Sequence, residues 1–253
     1  MRLYDSHCHL DAGEFDCDRH AVLDRAEAAG VLQQLVPAVS FREWPALKAA
    51  CALRPGLKAA YGLHPVFLAE HRPEHLDALP AWIEREKPAA VGEFGLDFFI
   101  EGLDPDLQRH YFRRQLEIAR AFDLPVVLHA RRAVDEVILA LRRLGGLRGV
   151  VHSWSGSEEQ AAQLHGLGFK LGIGGPVTFE RAKRLRRTVA TMPIEQLLLE
   201  TDSPDQPDAT RRGQRNEPAF LTTVLATVAA LRGEDEAKVA EATRRNAVAL
   251  FGS

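Results

Sequence analysis

Short apolar runs alternate with amphipathic stretches along the whole chain. Runs at Leu3–Ser6, Leu32–Val36, Ala59–Leu63, Ala89–Glu93, Pro125–Leu128, Gly149–His152, Phe169–Ile173 and Leu197–Glu200 read as strands. Helical periodicity covers roughly 18–30, 41–53, 73–86, 132–144, 157–167 and 178–190, and Leu107, Tyr111, Ile118 and Phe122 share one helix face. Two more helical patterns, about 217–232 and 234–250, follow the last run. Eight strands alternating with helices imply a parallel sheet. A chain of 253 residues then suits a (β/α)8 TIM barrel with an extra C-terminal helix, residues 1–253 forming one domain. An open doubly wound sheet is the second choice. Its phosphate fingerprint is missing after the first run, where the chain has His7-Cys8-His9 instead.

The residues that end these runs carry candidate chemistry. His7, His9, Glu93, His129, His152 and Asp202 each lie at or just past the end of an apolar run. In a parallel barrel those ends meet on one rim, so groups distant in sequence meet in space. His7 and His9, two positions apart, point the same way, and Asp5 lies behind them on the same face, placed to orient a histidine. Cys8 then faces away into packing. Gly92 and Gly95 beside Glu93 permit close backbone approach. Taken singly, these residues read as core histidines, a rim charge and a turn aspartate. Together they form a donor set suited to Zn, Mn or a similar divalent ion. Six ligands exceed the needs of one tetrahedral site, whereas two ions sharing a carboxylate would use them all. Ion pairs about 3.5–4 Å apart typify phosphodiester and related hydrolysis.

Composition changes this little. With 46% hydrophobic and 26% charged residues the chain is an ordinary globule with a sizeable core. The net charge of -3 gives no overall nucleic-acid signature. Local basic residues remain candidates: Arg131, Arg132, Arg211, Arg212 and Arg215 as rim groups gripping phosphate, at least half of them expected to be plain loop charge. The run Lys183–Arg187 reads as an exposed helix face, and Gly172-Ile-Gly-Gly175 as a weak phosphate cradle. Three widely spaced cysteines fit a reducing compartment. With no apolar leader and no membrane-length run, a cytoplasmic protein without a membrane partner is expected, and a monomer.

The segments Asp5-Ser-His-Cys-His-Leu-Asp11, Gly62-Leu-His-Pro65, Gly92-Glu-Phe-Gly-Leu-Asp97, Leu128-His-Ala-Arg131, His152-Ser-Trp-Ser-Gly-Ser157 and Glu200-Thr-Asp-Ser-Pro204 occur in an order that resembles the TatD family of metal-dependent hydrolases. Arg131-Arg132 after His129 and the run Pro204-Asp-Gln-Pro207 give the look of its YjjV-like branch. The resemblance implies a (β/α)8 barrel, two divalent ions (Zn, Mn, Mg or Ni) and deoxyribonuclease activity, often 3′→5′ exonuclease. It implies that His7, His9, Glu93 and Asp202 hold one ion and Glu93, His129 and His152 the other. Asp202 would accept a proton from the attacking water, and His64 would sit near the scissile phosphate. His64, Arg131 and Arg132 are the expected substrate-binding residues, and DNA or another phosphodiester the expected partner. The chain departs from the family pattern at Arg132 (commonly Asp), Trp154 (commonly Phe) and Asp205 (often aromatic), all where substrate would bind. A second reading is a metal-dependent amidohydrolase or esterase acting on a small molecule or a nucleic-acid conjugate. Many such barrels bridge their metals with a carboxylated lysine, but no lysine ends the fourth run, where Glu93 stands. A non-catalytic binding module would have no use for six convergent ligands.

Overall fold

The structure, a computed structural model, describes residues Met1–Ser253. Eight parallel strands follow one another around a sheet: β1 (Leu3–Asp5), β2 (Val31–Pro37), β3 (Leu57–Tyr61), β4 (Ala90–Asp97), β5 (Val126–Arg131), β6 (Gly149–Val151), β7 (Phe169–Ile173) and β8 (Leu197–Leu199). The last strand returns to the first. Ser6 N–H donates to Leu199 O at 2.9 Å, Asp202 N–H to His7 O at 2.8 Å and His9 N–H to Ser203 O at 2.7 Å. The Asp5 carboxylate strengthens this seam by accepting from the Thr201 N–H at 2.9 Å and the Thr201 hydroxyl at 2.6 Å. These bonds make a nearly closed (β/α)8 barrel.

A helix follows each strand: α1 (Arg19–Ala28), α2 (Trp44–Cys51), α3 (Pro73–Glu86), α4 (Pro105–Ala121), α5 (Val134–Leu144), α6 (Glu158–Gly166), α7 (Lys183–Thr191) and α8 (Leu221–Arg232), with the extra α9 (Glu236–Phe251) at the end. Local chemistry sets their starts. Asp104 caps α4 by accepting from the Asp106 and Leu107 amides, and Pro105 occupies its first turn, where no N–H is needed. Ser157 and Gln160 form a reciprocal capping box on α6. No helix is long and apolar enough to cross a membrane.

Two apolar layers hold the barrel. Leu3, Val36, Tyr61, Val91, Leu128, Val151, Leu171 and Leu199 join the surrounding helices in one continuous core. Tyr4, Leu35, Ala60, Ala90, Val127, Val150 and Leu198, one from each of seven strands, form a second cluster with Ala247, Leu250 and Phe251 of α9. Residues from seven strands can touch mutually only inside the barrel, so α9 plugs one end.

Several boundaries differ from the sequence reading. β4 and β5 run past Glu93 and Leu128 to Asp97 and Arg131, pairing Gly95 with His129 and Asp97 with Arg131. Glycine permits this approach, since a Cβ on Gly95 would lie 1.9 Å from the His129 carbonyl oxygen. A bulge between Val91 and Phe94 breaks the alternation at Glu93, and such bulges re-aim side chains. The helix expected from 178 starts only at Lys183, because Gly175–Thr178 form a tight turn held by the Thr178 hydroxyl on Gly175 O at 2.7 Å.

Candidate metal centre

The six expected donors converge at the C-terminal mouth of the barrel, around the Glu93 carboxylate. On its Oε2 side lie Nε2 of His7, Nε2 of His9 and Oδ1 of Asp202. Separations among these four atoms include 3.1 Å (His7–Glu93), 3.2 Å (His7–His9), 3.5 Å (His7–Asp202), 3.6 Å (His9–Asp202) and 3.7 Å (His9–Glu93). Ligands about 2.0–2.2 Å from a tetrahedral ion stand about 3.3–3.6 Å from one another, the spacing seen here. On the Oε1 side, His152 Nε2 lies at 2.7 Å, His64 Nε2 at 3.0 Å and His129 Nδ1 at 3.3 Å, with His129 Nδ1 3.3 Å from His152 Nε2.

The contacts of the far ring nitrogens sort the histidines. Pro37 O lies 3.2 Å from His9 Nδ1, so that nitrogen carries the proton and Nε2 keeps a free lone pair. Asp97 Oδ2 lies 3.0 Å from His129 Nε2, which leaves His129 Nδ1 free. His64 is the reverse. Its Nδ1 accepts from Val66 N–H at 3.1 Å, so Nε2 of the neutral ring carries the hydrogen. His64 therefore presents a donor to the centre, whereas His7, His9, His129 and His152 can present lone pairs.

One unsatisfied atom fits a bound cation. Glu93 Oε1, which faces the second cluster, is buried without a hydrogen-bond partner, and such an atom costs about 1–3 kcal/mol when left so. Burial pushes the Glu93 carboxyl upward, but His152, His64 and His7 around it carry it well below the usual range. Burial opposes charge on His152, yet Glu93 raises it to about 10. Likewise His9 rises to about 9 against its burial, through Asp202 and Glu93. Protons on imidazoles thus balance the carboxylates in the ion-free chain, and a divalent cation supplies the same balance. The donor set fits two such ions with Glu93 between them.

Other residues fall elsewhere than expected. Asp5 orients no imidazole: its carboxylate bonds the His7 backbone N–H at 3.2 Å and Thr201, and serves barrel closure. Cys8 faces away from the centre into packing, as expected, its thiol 3.4 Å from Gln34 Oε1. Arg131 lines the mouth, but Arg132 does not. Both guanidiniums stack on the exposed Phe99 ring, at 3.7 and 4.6 Å from its centroid. Arg211 is held by Asp208 and stacks on Phe220, while Arg215 pairs with Asp18; neither reaches the mouth, nor does Arg212. The glycines of β7 serve packing rather than a phosphate cradle. A Cβ on Gly172 would meet Glu200 Oε2 at 1.9 Å, and one on Gly175 the Gln206 carbonyl oxygen at 2.1 Å. Trp154 and Asp205 line the mouth.

Three supporting residues escaped the sequence reading. Asp97 holds His129 and accepts from the Phe99 N–H at 2.9 Å. Its signal was alternation, since 93, 95 and 97 share a strand face. Glu200, fully buried, accepts from the Ser153 N–H at 2.6 Å, and burial raises its carboxyl to about 8. Gln206 bonds Asp202 Oδ2 and the Ser153 hydroxyl, tying β8 to β6. Lys183 and Arg184 are exposed, as expected of that run, and together with Arg181 just before α7 they also border the mouth.

The family model described as TatD related DNase matches residues 4–252. The chain is 41% identical to the uncharacterized metal-dependent hydrolase YjjV of Escherichia coli K12, covering 99% of this chain and 98% of the relative. It is 35% identical to the 3′-5′ ssDNA/RNA exonuclease TatD of Cronobacter sakazakii, covering 98% and 97%. The crystal structure of YjjV, a TatD homologue from E. coli K12, superimposes with a TM-score of 0.95 at 39% identity, covering 100% of this chain and 98% of that one.

Proposed function

The chain belongs to the TatD family of metal-dependent hydrolases, and from that premise we propose that it is a deoxyribonuclease that removes nucleotides from DNA ends as a 3′→5′ exonuclease. One observation carries the reading: a single buried carboxylate, Glu93, turns one oxygen to each of two donor clusters. That arrangement suits two ions acting on one phosphodiester. His7, His9, Glu93 and Asp202 would hold the first ion, and Glu93, His129 and His152 the second. Bound divalent ions, whether Zn, Mn, Mg or Ni, supply Lewis-acid charge and acidify water.

The chain's own groups do the rest. Asp202 accepts a proton from the attacking water. Burial opposes its charge, but His9, His7 and His152 bring its carboxyl to about 2, so it is ionised at neutral pH. Gln206 fixes its outer oxygen. His64 donates from Nε2 to a phosphate oxygen, its ring oriented by the Val66 amide. Asp97 locks the ring of His129. Arg131, held flat on Phe99, offers its guanidinium edge to a flanking phosphate. A P–O ester bond breaks as the P–O bond to water's oxygen forms. We assign residues 1–253 to one domain and, from its three free cysteines, place the protein in the cytoplasm.

The test is a panel of single-stranded and 3′-tailed DNA beside amide and ester substrates, with defined metals. Metal-dependent release of mononucleotides supports the proposal. Amide or carboxylic-ester turnover with inert DNA would replace it with the amidohydrolase reading.

A further inference from the structure

The charges around the mouth are sorted by strand. Setting aside Glu93 and Asp202, four carboxylates border the cavity: Asp11 and Glu14 after β1, Glu43 after β2 and Asp205 after β8. Four cations border it too: Arg131 at the end of β5, and Arg181, Lys183 and Arg184 between β7 and the start of α7. In a barrel whose strands follow sequence order, β8, β1 and β2 form one arc, and β5 to β7 form another across the mouth. The cavity thus has an acidic wall and a basic wall, with the Glu93 centre between them.

Few of these charges are paired at contact distance. No carboxylate lies within 4.0 Å of Arg131, Arg181, Lys183 or Arg184, although most other arginines of the chain are paired. Arg184 is braced by the Ser155 carbonyl at 2.6 Å, and Arg131 by the Phe99 ring. On the acidic side only Glu43 has a basic side chain within 4.0 Å of its carboxylate, Arg42 at 3.9 Å, and His9 and Arg19 act on Asp11 from further off. Asp11 Oδ1 and Glu43 Oε2 are buried without a hydrogen-bond partner. Two walls of opposite sign over one cavity of about 1120 Å³ impose a direction on any chain of phosphates.

We propose that this polarised mouth makes the enzyme end-selective: the phosphate chain lies over the β5–β7 arc, and the acidic arc of β8, β1 and β2 admits only a terminal nucleoside that carries no further phosphate. The inference rests on the nucleic-acid reading and names its specificity determinants. An internal stretch of strand would lay its next phosphate on Asp11, Glu14, Glu43 and Asp205. A terminal phosphate would do the same with a larger charge. A hydroxyl end avoids both, so like-charge repulsion selects against the wrong substrates.

The experiment uses the metal-loaded enzyme and one short single-stranded DNA in four forms: hydroxyls at both ends, phosphate at the 3′ end, phosphate at the 5′ end, and the same sequence circularised. The wild type should consume the hydroxyl-ended form, slow by about tenfold or more when the attacked end carries phosphate, and spare the circle. In Glu14→Gln/Glu43→Gln the rates relative to the hydroxyl-ended form should rise for both the phosphate-ended and the circular substrate. Arg181→Gln/Arg184→Gln should raise KM on oligomers more than on bis(4-nitrophenyl) phosphate. A wild type that cuts circles as fast as linear strands overturns the proposal. So does a carboxylate double variant with unchanged relative rates. If no DNA form is hydrolysed while an amide or carboxylic ester is, the nucleic-acid reading fails, and the end-selection falls with it.

Discussion

The two ends of the barrel are built from the same strands in opposite chemistry. At one end Tyr4, Leu35, Ala60, Ala90, Val127, Val150 and Leu198 close on Leu250 and Phe251 of α9. At the other, a few positions further along those strands, His7, His64, Glu93, His129, His152 and Asp202 crowd together. Among buried polar atoms without partners, Glu93 Oε1, His7 Nδ1, His152 Nδ1 and Glu200 Oε2 lie at the mouth, while the plugged end has the Tyr4 hydroxyl. The apolar end gains free energy from burial and the mouth gives some of it up. A parallel barrel separates these tasks, because packing inside the cylinder does not depend on what stands at its rim.

The difference can be broken from either side. The largest effect is expected for Glu93→Gln, which should lower kcat by about a thousandfold or more while the protein still folds and unfolds cooperatively. Steady-state assays beside thermal unfolding check this, and a normal rate would remove Glu93 from the site. Phe251→Ala, at the other end, should cost about 3–5 kcal/mol of stability by opening a cavity. Chemical denaturation should show that loss with metal content and kcat of the folded fraction unchanged.

Two smaller effects sharpen the assignment within the mouth. His64→Gln should lower kcat by about a hundredfold while metal analysis still finds the wild-type content, because His64 contributes a proton donor and no lone pair. His129→Ala should lose an ion as well as activity. If His64→Gln also loses metal, the tautomer reading is wrong. The smallest effect is in pH. In the ion-free chain His9 and His152 titrate near 9 and 10, raised by Asp202 and Glu93 against their burial, and burial raises Asp5 and Glu200 to about 7 and 8. All four bind protons more tightly folded than unfolded, so the two carboxyls lose their stabilising contribution as pH rises from about 4 to 8, and the two imidazoles as it rises from about 6.5 to 10. Chelated protein should melt progressively lower over that range, and the metal-loaded protein should change less.

What the sequence made legible follows from this architecture. Each candidate ligand ends an apolar run, so the order of elements and the convergence of His7, His9, Glu93, His129, His152 and Asp202 could be inferred from pattern alone. The lengths of β4 and β5 could not, since they depend on the contact between Gly95 and His129 across two strands. The roles of Asp97 and Glu200 were hidden for the same reason: each acts on a group 32 or 47 positions away. Asp5 lies two residues before His7, yet a neighbour across the β1–β8 seam decided its role. The run from Lys183 is exposed as its pattern implies, but its place beside the mouth was hidden, because the turn at Gly175–Thr178 decides where Arg181, Lys183 and Arg184 come to lie.

The claim beneath all of this is that one carboxylate joins two ions. Electron paramagnetic resonance of the protein loaded with two equivalents of Mn tests it most directly. The account predicts the spectrum of an exchange-coupled pair, replaced by that of isolated ions in Glu93→Ala. Isolated Mn in the wild type, or saturation at a single equivalent, would contradict it.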